Sequence, residues 1–286
     1  MEIGPIGIWT QWTPWANATM RAAELEELGF SALWLGASPP GDLRLAESLI
    51  AASQRLIVGT SIVNIWDAGA SLVAESYHRI AGEHPGRFVL GLGVSHAPVV
   101  GEAYRRPLRK LSEYLDELDA ATPPVPVDGR AIASLGPRSL EIAGSRSLGT
   151  LPYLTTPEHT RSAREILGPD ALLAPEQKVV LESDPSAARA IARRRLAMYL
   201  TLPNYVNNWR RLGFEEADFE QGGSDRLVDA VVAWGTPDAI RARLQEHLDA
   251  GADHVAVQVL VEDVTQLPFD QFRALAQIVH GVTASR

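Results

Sequence analysis

The chain has 286 residues, 46% of them apolar and 21% charged, a net charge of −9 and no cysteine. That composition supplies ample material for a core and excludes general disorder, while the acidic balance argues against nucleic acid or an anionic membrane as partner, since both need clustered positive charge. Without cysteine there are no disulfides, thiolate nucleophiles or cysteine-held metals. No apolar run approaches a membrane span, and MEIGPIGIWT has no basic stretch leading into an apolar one, so the expectation is a soluble, cytoplasmic protein without a leader.

Eight short apolar runs read as strands, over 3–9, 31–35, 57–63, 88–92, 131–135, 149–154, 177–181 and 254–259. Their apolar character is nearly continuous rather than alternating, as in parallel strands covered on both faces. Between them lie helical stretches. Asn17 can cap a helix carrying Met20, Ala23 and Leu28 that stops at Gly29. Pro137, Pro157, Pro185 and Pro237 each stand at a first helical position, where the missing N–H has no partner to lose. The last of these helices carries Ile240, Leu244 and Leu248 on one face and ends at Gly251, with a strand following at once. Most intervals fit one strand–helix unit. The interval from 177 to 254 is longer and needs extra helices, for which 184–202 and 224–234 are the candidates. TPPVPVDG, over 122–129, is a proline-rich loop too short to divide domains. The pattern predicts one α/β domain over 1–286, a (β/α)8 TIM barrel with extra helices between strands 7 and 8. An open doubly wound sheet is the competing architecture.

In such a barrel chemistry sits at the C-terminal ends of the strands. The residues found there are hydroxyls, amides, tryptophans and one histidine. There is no carboxylate pair for glycoside hydrolysis, no metal-binding histidine cluster and no lysine where a Schiff base would form. This inventory suits a large planar cofactor that carries the hard chemistry itself. Gly91-Leu92-Gly93-Val94-Ser95-His96 falls short of a dinucleotide fingerprint, because histidine takes the sixth position and Pro98 follows; its glycines allow close packing or a backbone held against a flat ring. His96 alone among the seven histidines falls at a strand's C-terminal end. It is either structural or a proton partner beside the ring. The others (His78, His84, His159, His247, His254, His280) fall on helices, at helix ends or at a strand start. Trp9, Trp12 and Trp15, with Trp66, are candidates for an aromatic wall over a substrate pocket, since Pro14 interrupts any helix through the first three. The arginine runs at 193–195 and 210–211 read as solvated helix faces.

GTSIVNIW (59–66), HPGRFVLGLGVSH (84–96), TTPEHT (155–160), LPNYVNNWRRLGF (202–214), GGSDRLVDAVVAWGTPDAI (222–240) and AGADHVAVQVL (250–260) together resemble the bacterial-luciferase-like superfamily, and within it the coenzyme F420-dependent oxidoreductases of actinobacterial type. The resemblance implies a TIM barrel holding a flavin or deazaflavin in its mouth, a cis peptide at Ser61–Ile62 under the ring, and the turn Gly93, Val94, Ser95, His96 beside it. Asn64 belongs to the same cofactor set, and Gly136, Tyr153, Thr155 and Thr156 are the candidates for holding the phosphate. It implies hydride transfer to or from a small molecule, with His96 as the proton partner, and a homodimer. The chain departs from sugar-phosphate and alcohol dehydrogenases of the family, which place a polar pair where Gly36-Ala37-Ser38 stands; the sugar-phosphate enzymes also carry glutamate where His96 stands. A hydrophobic or aromatic substrate fits better. The alternatives are an FMN-dependent monooxygenase and a non-catalytic flavin- or deazaflavin-binding protein.

Overall fold

Among the residues described by the structure, a computed structural model covering 3–279, 281 and 282, eleven strands form one parallel sheet. They are β1 Ile6–Gln11, β2 Ala32–Gly36, β3 Ile57–Ser61, β4 Val63–Asn64, β5 Phe88–Gly93, β6 Arg130–Ile132, β7 Gly149–Thr150, β8 Leu172–Leu173, β9 Glu176–Val180, β10 Val232–Trp234 and β11 Val255–Val259. Each of the eight expected runs overlaps one of them. The run over 57–63 splits into β3 and β4 at the cis bond Ser61–Ile62. The stretch over 224–234, read as helical, ends its helix at Val231 and continues as β10. His280 lies outside the described residues.

The closed (β/α)8 barrel expected from the sequence is not what forms. Hydrogen-bonded order runs β10-β9-β11-β1-β2-β3-β5-β6-β7-β8, with β4 beside β5, and the two ends share no ladder. The result is an open, strongly curled half-barrel whose parallel strands sweep 244°. The chain changes ladder partner around Ala174-Pro175. Proline has no N–H to give to a ladder, and the run over 172–180 divides there. Leu172–Leu173 pair with β7, whereas Glu176–Val180 pair with β11 and β10. At this seam Glu176 N–H bonds the Pro152 carbonyl at 2.8 Å.

Residue parity along the strands separates two cores, because successive side chains point to opposite faces. Leu33, Leu35, Val58, Leu90 and Ile132 pack outward against the helices. Trp9, Ala32, Trp34, Val89, Ala131 and Leu151 pack on the inner face. Small residues make room for the indoles there: a Cβ on Gly59 would lie 2.4 Å from the Trp34 ring. The expected prolines all open helices, in Pro137–Arg146, Pro157–Leu167, Pro185–Leu196 and Pro237–Asp249. Thr156, Asp184 and Thr236 cap the last three by accepting the N–H three residues on. Asn17 caps nothing: it ends the single turn Thr13–Asn17, and the helix begins at Ala22. The helices needed between 177 and 254 are Pro185–Leu196, Pro203–Arg211 and Asp225–Val231, ahead of Pro237–Asp249. They build a second apolar cluster around Leu196, Trp209 and Leu227 beside β9 and β10. No helix among the described residues is long and apolar enough to cross a membrane.

Two histidines are buried among these elements as neutral rings. His254 Nε2 accepts from Trp34 Nε1 at 2.9 Å, so its proton sits on Nδ1 and is donated to the Gly4 carbonyl. His247 lies between Thr160 Oγ1 at 2.8 Å and Gln177 Oε1 at 2.9 Å. Burial pulls His247 down to about 3 and His254 down to about 4. The unfolded chain binds these protons near pH 6.5 and the folded chain does not, so stability is complete above that pH and is lost as pH falls toward the folded values. Urea unfolding should therefore show stability dropping between pH 6.5 and 4.5 by up to roughly 2–3 kcal/mol for each histidine. A midpoint that does not move over that range would contradict neutral burial.

Candidate functional site

Parallel strands bring their C-terminal ends to one rim, the place where open α/β sheets take ligands. A cavity of about 840 Å³ opens there. On one side stands the cis bond Ser61–Ile62 at the end of β3, with Gly93 at the end of β5 against it. A Cβ on Gly93 would come 2.6 Å from Ile62 Cγ1, so glycine is what lets the two strand ends meet. The chain then turns through Val94 and Ser95, the latter in the left-handed region with φ 54°, to His96. The His96 ring is half-buried, 5.5 Å from that of Tyr205, and its Nδ1 has no hydrogen-bond partner among the described residues. Burial pushes its pKa below the usual histidine range.

The opposite side is aromatic. Trp9 lies 5.3 Å from Tyr153, Tyr153 lies 5.6 Å from Tyr199, and Tyr199 lies 5.1 Å from Tyr205. Gly36 permits the placement of Trp9, whose ring passes where a Cβ would be, at 1.9 Å. Below the tyrosines, Lys178 of β9 is 1% exposed. Its ammonium donates to Glu176 Oε1 at 3.1 Å and to Gln258 Oε1 at 2.9 Å, and sits 3.7 Å from the centre of the Tyr153 ring. Burial lowers the lysine to about 8, leaving it protonated at neutral pH, and raises Glu176 against the attraction of that ammonium.

A third feature lies at the corner where Gly136 opens the helix Pro137–Arg146. The Arg211 guanidinium reaches within 3.7 Å of where a Gly136 Cβ would stand and donates to Asn208 Oδ1 at 3.1 Å. No carboxylate pairs with Arg211 among the described residues. Nearby, three buried polar atoms lack partners among the described residues: Asn208 Nδ2, Thr155 Oγ1 and His159 Nδ1. The other nitrogen of His159 is 3.0 Å from the Leu135 carbonyl next to Gly136. Because the Leu135 carbonyl can only accept, His159 carries its proton on Nε2 and its Nδ1 is an acceptor, so a helix N-terminus and a guanidinium without a carboxylate partner are what suit this corner to an anion.

Of the sequence candidates, Trp9, Ser61, Ile62, Gly93, Val94, Ser95, His96, Gly136 and Tyr153 share the cavity wall. The others stand behind it. Trp15 is fully buried, its Nε1 on Thr10 Oγ1 at 2.6 Å. Trp12 bonds the Ala37 carbonyl and borders a separate 160 Å³ pocket. The 3-10 turn at Pro14 divides the trio, so the aromatic wall joins Trp9 to tyrosines of other segments. Trp66 donates to the Val94 carbonyl at 2.8 Å and braces the turn, while Asn64 receives the Trp66 N–H and bonds Asp67. Thr156 caps its helix. Lys178 corrects the expectation of no lysine at the site. It is one of two lysines in the chain and falls within a run read as covered on both faces. A charge there, with Glu176 two residues away on the same face, is the signal that could have found it.

A family model described as luciferase-like monooxygenase matches residues 4–254. No curated protein sequence matches the chain. Among solved structures, an F420-dependent secondary alcohol dehydrogenase in complex with an F420-acetone adduct is similar at TM-score 0.74 and 14% identity, covering 99% of each chain. The coenzyme F420-dependent tetrahydromethanopterin reductase from Methanopyrus kandleri is similar at TM-score 0.72 and 16% identity, over 98% of this chain and 99% of that one. The oxygenating constituent of 3,6-diketocamphane monooxygenase from Pseudomonas putida, in complex with FMN, is similar at TM-score 0.65 and 15% identity, over 99% of this chain and 98% of that one. At these identities the likeness is one of fold.

Removing one charge of a buried pair strands the other. Glu176→Gln should destabilise the chain by roughly 3–5 kcal/mol in urea unfolding at pH 7. Glu176→Gln combined with Lys178→Met should recover most of that loss. A single variant as stable as wild type would show that the pair is not held as described.

Proposed function

The chain belongs to the luciferase-like monooxygenase family, and from that premise we propose that it is an F420-dependent oxidoreductase acting on a hydrophobic small molecule. The carrying observation is that the aromatic cavity adjoins a built anion corner, as a flat ring with a phosphorylated tail requires. The residues fit that group. Ser61, Ile62 and the turn Gly93–Ser95 would face the ring, and Gly136 with Arg211 would hold the phosphate. When bound, the deazaflavin supplies hydride transfer at its carbon 5. Support for F420 over FMN comes from the sequence resemblance and from Arg211 at the rim of an otherwise acidic chain, a guanidinium without a carboxylate partner among the described residues that suits an anionic tail.

The protein's own part is then positional and protonic. Trp9, Tyr199 and Tyr205 exclude water and give the substrate apolar faces. His96, kept neutral at pH 7 by burial, holds one lone pair and one N–H beside the ring and takes or gives the proton that accompanies hydride transfer.

Fluorescence titration should show F420 binding, with FMN a weak competitor. Tight FMN binding without F420 binding would transfer the reading to an FMN-dependent monooxygenase. Arg211→Ala should weaken F420 by about 10–100-fold, the loss of one charge-assisted phosphate contact. His96→Ala should cut kcat/KM by about 10²–10⁴ with little change in cofactor affinity, and unchanged turnover would remove His96 from the mechanism. Because the lowered pKa puts protonation of His96 below pH 6.5, any acid limb contributed by His96 should fall below that pH.

A further inference from the structure

The cavity floor fixes one amide in a single role. Gln258 of β11 stands across from Lys178 of β9 in the ladder. Its Oε1 receives the Lys178 ammonium at 2.9 Å and the Tyr153 hydroxyl at 2.9 Å. An ammonium only donates, so the oxygen must face it and the amide cannot flip. Gln258 Nε2 makes no hydrogen bond among the described residues, and Gln258 lines the cavity. The neighbouring hydroxyls do not substitute for it. The Tyr153 proton goes to Gln258, so Tyr199, 3.1 Å away, spends its own on Tyr153. Gln11 and Tyr205 also line the cavity but carry no such restraint, and each can offer either a donor or an acceptor. Gln258 offers only a donor. Glu176 offsets the charge of Lys178, so this floor does not call for a charged ligand, and the aromatic rings beside it favour a flat apolar body.

We propose that Gln258 is the specificity residue of the cavity, its Nε2 donating to the oxygen of a neutral aromatic or alicyclic carbonyl compound, with Lys178 and Glu176 as positioning residues. This rests on the reading of the cavity as shared by cofactor and substrate. In sheet order β1 and β2 separate β11 from β3, so the amide and the Ser61–Ile62 bond stand apart around the rim.

Calorimetric titration of the full chain with acetophenone and with ethylbenzene, which share a carbon skeleton and differ at the carbonyl, tests the assignment. Wild type should prefer acetophenone by about tenfold, the worth of one hydrogen bond to a donor otherwise left unpaired. Gln258→Leu should abolish the preference. Gln258→Glu, which keeps the size and the bond from Lys178 but lacks the donor, should abolish it too, and serves if the leucine variant folds poorly. Lys178→Met combined with Glu176→Gln, which strands no charge, should lower the preference for acetophenone by more than it lowers ethylbenzene affinity, a separation that a merely structural role would not produce. Absence of the preference in wild type, or its survival in both Gln258 variants, would overturn the proposal. F420 titration of the same variants keeps the two readings distinct. Lost F420 affinity with a retained carbonyl preference would assign Gln258 to the cofactor and overturn only this inference. A carbonyl preference that follows Gln258 in a chain that binds no F420 would overturn only the proposed cofactor.

Discussion

A single direction of travel constrains everything else in this molecule. Because every strand of the sheet is parallel, the chain must return over the outside between neighbouring strands, save where one run is divided as at β3–β4 and β8–β9, and the C-terminal ends collect on one rim. Residues from β1, β3, β5, β9 and β11, far apart in sequence, therefore meet around one cavity. Curling the sheet through 244° turns that rim from a line into an enclosure. The enclosure is what buries Lys178 and half-buries His96, and burial in turn sets the protonation of both.

Close approach inside the curl depends on small residues at a few places. Gly36 lets the Trp9 indole lie across the end of β2, and Gly93 lets β5 meet the bond at Ser61–Ile62. Side chains there would push the ring of Trp9 or the strand end out of place. The polar groups follow a comparable logic. The Lys178 ammonium has three hydrogens, and its surroundings supply Glu176, Gln258 and the face of Tyr153 to receive them. A network satisfied to this extent rigidifies the floor, and it leaves one amide donor, Gln258 Nε2, without a hydrogen-bond partner among the described residues.

Much of the fold was legible because its signals are local. Unbroken apolar runs marked the parallel strands, and prolines with Thr156, Asp184 or Thr236 before them marked helix starts, since both depend on neighbours within four residues. Closure of the sheet was not legible. It depends on which strands pair, and the run over 172–180 takes β7 as partner before Pro175 and β11 and β10 after it, all distant in sequence. The site divides in the same way. Strand-end residues such as His96, Ser61 and Trp9 were found by position, whereas Trp12 and Trp15 were carried into other surroundings by the turn at Pro14. Lys178 and Gln258 were passed over inside runs read as apolar strands, and Arg211 was read only as a solvated helix face, because their partners lie far away in sequence.

What the sequence by itself determined is the alternation of strand and helix, their shared direction, and the set of residues delivered to one rim, all consequences of hydrophobic periodicity and backbone chemistry. Only the tertiary structure decided that the sheet stays open, that three tyrosines join Trp9 in the aromatic wall, and that one amide is locked as a donor. Those outcomes depend on distances between residues such as Tyr153 and Gln258, separated by 105 positions in the chain. Hydrogen bonding and burial act through space, so their effect is settled only once the chain has brought such residues together.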